Sequence, residues 1–257
     1  YLDGATIRNL RVEGDAVVQG IHFGALMGRV GGTVLVEDVI TNVNIVGQRS
    51  GVTGDAGMVG ALYGKVVFNN CATLGTMGCE GSSMYCGFTA WASGDGVSTL
   101  NNCYTACSLT EGTGLDYCYT FCRGTCNLNN CYYLSEVGVK QGTQMTAEQF
   151  GSGEVCYKLN QGSATRATSA GDQGDIHWYQ TIGEDAFPVL DKSHQVVIFM
   201  DGKYDNADAI AEVNADKRLQ SAEIYNLAGQ RMNNMQNRRS TYVKGINIVG
   251  GKKILVK

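Results

Sequence analysis

A six-residue pattern that recurs five times constrains this chain more than any other feature. The copies are Ile7-Arg8-Asn9-Leu10-Arg11-Val12, Val36-Glu37-Asp38-Val39-Ile40-Thr41, Phe68-Asn69-Asn70-Cys71-Ala72-Thr73, Leu100-Asn101-Asn102-Cys103-Tyr104-Thr105 and Leu128-Asn129-Asn130-Cys131-Tyr132-Tyr133. Leu10, Val39, Cys71, Cys103 and Cys131 hold the fourth position, 29, 32, 32 and 28 residues apart. Apolar residues flank a two-residue polar corner in every copy, the pattern of strand, corner, strand. Asn and Asp suit the corner because they tolerate a left-handed backbone and hydrogen-bond locally. No copy can bury its own apolar face, so each needs a neighbour. The expected fold is all-β, a parallel β-helix or solenoid with rungs about 4.8 Å apart.

Stacking in register predicts columns. Leu10, Val39, Cys71, Cys103 and Cys131 form a core ladder. Ile7, Val36, Phe68, Leu100 and Leu128 form a second inward column, and Val12, Thr41, Thr73, Thr105 and Tyr133 a third. Alternation reaches one position further upstream, through Ala5, Val34, Val66, Ser98 and Cys126. Asn70, Asn102 and Asn130 form a polar ladder along the corner. A β-sandwich of hairpins explains the 35 glycines but not the in-register return of apolar, Asn-Asn, apolar. A single proline argues against a disordered or collagen-like chain.

Between the copies lie Gly24-Ala25-Leu26-Met27-Gly28, Gly60-Ala61-Leu62-Tyr63-Gly64 and Gly87-Phe88-Thr89-Ala90-Trp91, where small residues permit tight turns. With these stretches, residues 5–137 resemble the Bacteroidetes surface proteins built from GLUG-type repeats. After the repeats, Thr146-Ala147-Glu148-Gln149 reads as a capping box opening a short helix. That helix is expected to turn Phe150, Val155 and Leu159 toward the end of the solenoid and blunt its open edge. Residues 161–175 read as a loop. Trp178-Tyr179-Gln180 and Phe187-Pro188-Val189-Leu190 read as a terminal strand pair, in a stretch that also resembles segments following GLUG repeats.

From about residue 195 the chain reads as a small antiparallel, sandwich-like β module. Strands are expected at Gln195–Asp201 and Ala222–Leu227, with a hairpin around Gly250-Gly251. Ile224-Tyr225-Asn226-Leu227-Ala228-Gly229-Gln230-Arg231 and Lys244-Gly245-Ile246-Asn247-Ile248-Val249 are similar to the C-terminal sorting domain of Bacteroidetes secreted proteins. That resemblance implies a secreted or outer-surface location, with the type IX export machinery as a partner of this module. The predicted organisation is thus 1–143 solenoid, 144–194 capping helix and terminal strands, and 195–257 C-terminal module. The chain opens on Tyr1 rather than Met, so residues upstream of it are expected.

The net charge is −4. Residues 217–257 carry nine Lys/Arg and one acid, so the rest of the chain is strongly acidic, which argues against a nucleic-acid partner. The longest apolar run, Val196–Met200, is far short of a membrane span. Ten cysteines invite a disulfide framework. Yet Cys71, Cys103, Cys126 and Cys131 take positions that Leu, Val or Ser fill in other copies, as buried small hydrophobes do. Free thiols are the leading reading, with disulfides and metal as alternatives. Cys118, Cys122 and Cys126, four residues apart, would share one face of a strand, which fits packing better than a metal loop. No metal or cofactor is expected.

Catalytic candidates are few. Glu37-Asp38 is the adjacent acidic pair of the repeats, but it occupies the corner and reads as turn-forming; no catalytic residue is assigned. Tyr104 and Tyr132 follow core-ladder cysteines and should point outward, with Tyr117 and Tyr119 nearby. Outward tyrosines can stack on sugars or anchor a protein, or merely stack on one another. The expected function is a non-catalytic, adhesin-like surface protein that binds a glycan or a host or cell-surface protein. A carbohydrate-active β-helix enzyme and a structural spacer are the alternatives.

Overall fold

A computed structural model describes residues 1–47, 51–78, 82–162, 176–207, 224–225, 245–249 and 252–256. They fall into two compact units, Tyr1–Asp205 and Asn206–Lys257.

The first unit is a parallel β-solenoid of about four turns. Its leading side stacks Thr6–Val18, Thr33–Gly47, Lys65–Asn69, Val97–Asn101 and Thr125–Asn129. The chain then turns a corner, and Ala72–Leu74, Tyr104–Thr105 and Tyr132–Tyr133 continue a second side. It returns through His22–Gly24, Gly51–Ala56 and Ser82–Cys86, then Met27–Val30, Val59–Leu62 and Thr89–Ala92, again all parallel.

Register follows the repeat. Ile7 pairs with Val36, and Val36, Phe68, Leu100 and Leu128 pair in succession. The corner residues Asn9, Asp38, Asn70, Asn102 and Asn130 all adopt left-handed backbone, with φ between 52° and 55°. That is the conformation an L-residue avoids unless a short polar side chain compensates locally. Asn130 Nδ2 donates to Asn102 Oδ1 (2.9 Å), and Asn102 Nδ2 to Asn70 Oδ1 (3.4 Å). A second ladder runs beside it, from Asn129 to Asn101 (2.8 Å), Asn101 to Asn69 (2.8 Å) and Asn69 to Glu37 Oε1 (3.0 Å). Arg8 terminates that ladder by pairing with Glu37.

Inside, Val36, Phe68 and Leu100 are fully buried, each side chain stabilising by about 1.5–3 kcal/mol. Phe68 meets Phe88 edge to face with centroids 5.2 Å apart, and Phe88 stacks on Phe121 at 5.6 Å. The buried threonine column finds partners inside the tube: Thr73 Oγ1 donates to Thr105 Oγ1 (2.9 Å), and Thr41 Oγ1 to the backbone Gly57 O (2.7 Å). Gly57 shows why rung corners demand glycine, since a Cβ there would lie 2.4 Å from Gly87 O.

The nine described cysteines are free. Cys71, Cys103 and Cys131 each direct Sγ at a carbonyl of the preceding rung, at 3.6, 3.6 and 3.5 Å. Burial pushes the Cys103 thiol well up, and the stacked thiols of Cys131 and Cys71 add to it. Cys118, Cys122 and Cys126 do not share one strand as expected. Isolated bridges at Tyr119 and Cys122 break the path, and Cys118 packs in a different core from Cys122 and Cys126.

Leu10 also departs from expectation. It pairs with Val39 in the core ladder yet is 41% exposed, because its rung ends the stack and has a neighbour on one side only.

The helix expected at the solenoid's end is instead two helices on its flank, α1 (Ala147–Gly151) and α2 (Glu154–Gly162). Thr146 caps α1 with the expected capping box. Phe150, Val155, Cys156 and Leu159 pack with Ile40, Ala72 and Tyr104, the outward residues of three successive rungs. That apolar outward column, not the last rung, is the larger surface needing cover. The expected strand pair reduces to one antiparallel bridge, Tyr179 with Val189. Residues 163–175 lie outside the described residues.

Val197–Met200 and Lys203–Asn206 pair with each other, and Val197 belongs to the core beneath the helices. The first strand assigned to the C-terminal module therefore sits in the first unit. In the second unit, Ile224–Tyr225, Gly245–Val249 and Lys252–Val256 form a three-stranded antiparallel sheet with the expected hairpin. The described residues give one sheet there, not two facing sheets, and Gly250-Gly251 lie outside them.

Candidate binding site

The outward column Arg11, Ile40, Ala72, Tyr104, Tyr132 shows where tyrosines chosen from the repeat end up. Tyr104 is 1% exposed. Its ring lies 5.2 Å from Trp178 and 5.6 Å from Phe150, and its hydroxyl donates to Pro188 O at 2.7 Å. Burial drives its phenol far above the ordinary range. Tyr132 is half-buried in the same core and donates to Asn130 Oδ1 (2.5 Å). Both point out of the tube, as the alternation requires, but α1, α2 and residues 176–190 cover them. Tyr104 is closed off almost completely, and Tyr132 keeps only part of its surface exposed.

Tyr119 is half-buried, bridged to Cys86 and Val139. Tyr117 is 52% exposed, with the Arg123 guanidinium 4.8 Å over its ring. The four tyrosines do not form one surface.

A groove opens where the cover leaves the first two rungs, with a cavity of about 1010 Å³. Its solenoid side is Leu10, Arg11, Asp38 and Ile40; its other side is His177, Tyr179, Asp185, Lys192 and His194. A smaller cavity of about 400 Å³ shares Arg11, Ile40, Asp185 and Val189 and extends toward Leu74 and Ala106. Together they make an elongated trough along the second side.

Two histidine–carboxylate pairs furnish it. His177 Nδ1 meets Asp38 Oδ1 at 2.7 Å, joining parts of the chain 139 residues apart. His194 Nδ1 meets Asp185 Oδ2 at 2.6 Å, and the same oxygen accepts from the Thr181 amide at 2.6 Å. Arg11 is steadied by Glu13. The Ser193 amide and hydroxyl both donate to Asp191 and hold its carboxyl below its usual range.

Asp38 reaches the groove because it takes a left-handed corner where later rungs place Asn. The corner column thus carries a carboxylate at this rung, and it turns to His177. Glu37, one residue earlier, joins the neighbouring ladder with Asn69 and Arg8. The adjacent acids therefore serve different networks. Among the described residues no group of three or more His, Cys, Asp or Glu is arranged to hold a metal ion.

Chemically, the trough offers carboxylates, imidazoles, a guanidinium and an ammonium above an apolar strip of Leu10, Ile40 and Val189. Such a lining suits a ligand with many hydroxyls or amides. Sequence reasoning missed His177, His194, Asp185, Tyr179 and Lys192 because they lie outside the repeat. Their pairing across 139 and nine residues has no period.

Comparison with known protein families, with curated proteins and with solved structures finds no match.

Proposed function

We propose that the protein is a non-catalytic secreted or outer-surface binding protein whose trough takes a glycan chain or a segment of a surface protein. The observation that carries this is the open trough of about 1010 Å³, whose polar side chains come from the solenoid on one side and from residues 177–194 on the other, tied together by the His177–Asp38 pair. Preformed geometry of this kind limits the ordering cost of binding. The resemblance of residues 5–137 to GLUG-type repeats supports the surface role. The resemblance of the last residues to a sorting domain supports export through the type IX machinery.

The experiment incubates the full chain with plant, host and mucin polysaccharides, scoring depletion of the protein and release of new oligosaccharide ends. Depletion without new ends, weakened by Asp38→Asn and Lys192→Ala, is the expected result. Failure of both variants to weaken binding would remove the trough from the reading.

A second reading has its own observation. In each histidine–carboxylate pair Nδ1 is held by an aspartate, the arrangement that orients an imidazole for proton transfer. New ends that vanish in His194→Ala would favour an enzyme. Neither depletion nor new ends would favour the spacer.

A further inference from the structure

The return side of the solenoid carries an aromatic strip that the trough does not use. Arg29, Ala61 and Trp91 are register partners on three successive rungs. Ala61 is nearly buried, overlain by the larger groups around it. Tyr63 fills the gap: its ring centroid lies 3.9 Å from the Arg29 guanidinium carbon and 5.0 Å from the Trp91 ring. Tyr1 lies on Arg29 at 5.5 Å, and His22 flanks Trp91 at 5.6 Å.

Three features make this more than a stack of surface rings. Arg29 is exposed, and among the described residues no carboxylate pairs with it, whereas Arg8 and Arg11 each have a glutamate. Tyrosine contacts orient its guanidinium without neutralising it. Approach is open: Arg29 is exposed, and Tyr63 and Trp91 are both partly so. The cation's influence is felt locally, since burial first and Arg29 second hold His22 below its ordinary imidazole value.

We propose that Arg29, Tyr63 and Trp91 form a second ligand site, separate from the trough, for a pyranose carrying a carboxylate. The C–H face of the sugar lies on Trp91, and the carboxylate pairs with the Arg29 guanidinium. Aromatic faces favour pyranose rings over small inorganic anions, and a planar guanidinium matches the two oxygens of a carboxylate.

Tryptophan emission tests this directly. The chain has two tryptophans, and Trp178 is fully buried while Trp91 is partly exposed. The full chain is titrated with oligogalacturonate, a neutral cello-oligosaccharide and a sulfated oligosaccharide, with calorimetry in parallel. The expected result is a change in Trp91 emission with oligogalacturonate at an affinity ~10-fold or more above the neutral sugar, about 1.4 kcal/mol. Arg29→Gln should erase that preference, Trp91→Ala should abolish it by calorimetry, and Trp91→Phe should retain part of it. Asp38→Asn in the trough should leave the Trp91 emission response and its dependence on Arg29 unchanged. Equal affinity for acidic and neutral sugars, tighter binding of the sulfated probe, or oligogalacturonate binding indifferent to Arg29→Gln would overturn the proposal.

Discussion

Two outward faces of one tube meet different fates. On the second side, Ile40, Ala72 and Tyr104 pack against α1, α2 and Trp178, and together they make a second buried core. On the return side, Arg29, Tyr63 and Trp91 occupy equally outward positions, yet they remain at the surface. Alternation along a strand decides inward against outward and nothing more. Whether an outward residue meets water depends on what the chain later lays over it. Large-to-small changes on the two faces separate these cases most strongly. Tyr104→Ala empties a buried site and orphans a hydrogen bond to Pro188, and should cost about 3–5 kcal/mol in urea unfolding. Trp91→Ala loses partial burial and ring contacts only, and should cost about 1–2 kcal/mol. Equal costs would mean that the return side is also covered.

The tube was legible because its determinants are local and repeated. The corner needs a left-handed residue every rung, and Asn9, Asp38, Asn70, Asn102 and Asn130 supply it. The inward columns need apolar or small residues at fixed spacing, and Val36, Phe68 and Leu100 supply them. The cover was half legible. Thr146 and Gln149 announced the helix start, but no period told which face of the tube Phe150 and Leu159 would choose. The trough was not legible, because Asp38 and His177 meet only after both tube and cover have formed. Tyr104 was misplaced for the same reason: its direction was right, and its neighbours came from residues 150–188.

The corner ladder gives the next largest effect. Asn102→Ala removes a ladder member at φ 53° and forces alanine into a region it avoids, so about 2 kcal/mol should be lost. Asn102→Gly keeps the conformational freedom and loses only the side-chain bonds, so the loss should fall to about 1 kcal/mol. Asn101→Ala, beside it on the open leading side, should cost less than Asn102→Ala. Thermal unfolding of the three variants ranks them. If Asn101→Ala proves the costliest, the amide ladder outweighs the backbone conformation, contrary to this account.

Thiols tell cover from tube without any mutation. Cys156 in α2 is buried in the core under the cover, whereas Cys71 and Cys103 lie inside the tube. Few rungs hold the cover, so it should open at lower free energy than the tube unfolds. Labelling with a thiol reagent in rising urea, read by peptide mass spectrometry, should therefore modify Cys156 before Cys71 and Cys103. Simultaneous modification would show that cover and tube unfold as one cooperative body.

The smallest effect is a titration on the open side. His22 is held below the ordinary imidazole value of 6.5 mainly by burial and secondarily by Arg29. The unfolded chain therefore takes up this proton more readily than the folded one. The stability contributed by keeping His22 neutral is complete above pH 6.5. It declines as the pH falls from 6.5 toward the depressed folded value, and levels off below it. Following the His22 ring protons by NMR should give a midpoint under 6.5, and Arg29→Gln should raise it only part of the way, because burial persists. A midpoint at or above 6.5 would place an anion beside this imidazole. That anion would also be the counter-charge missing from Arg29, and the return side would then be an internally balanced surface, not one awaiting an acidic ligand.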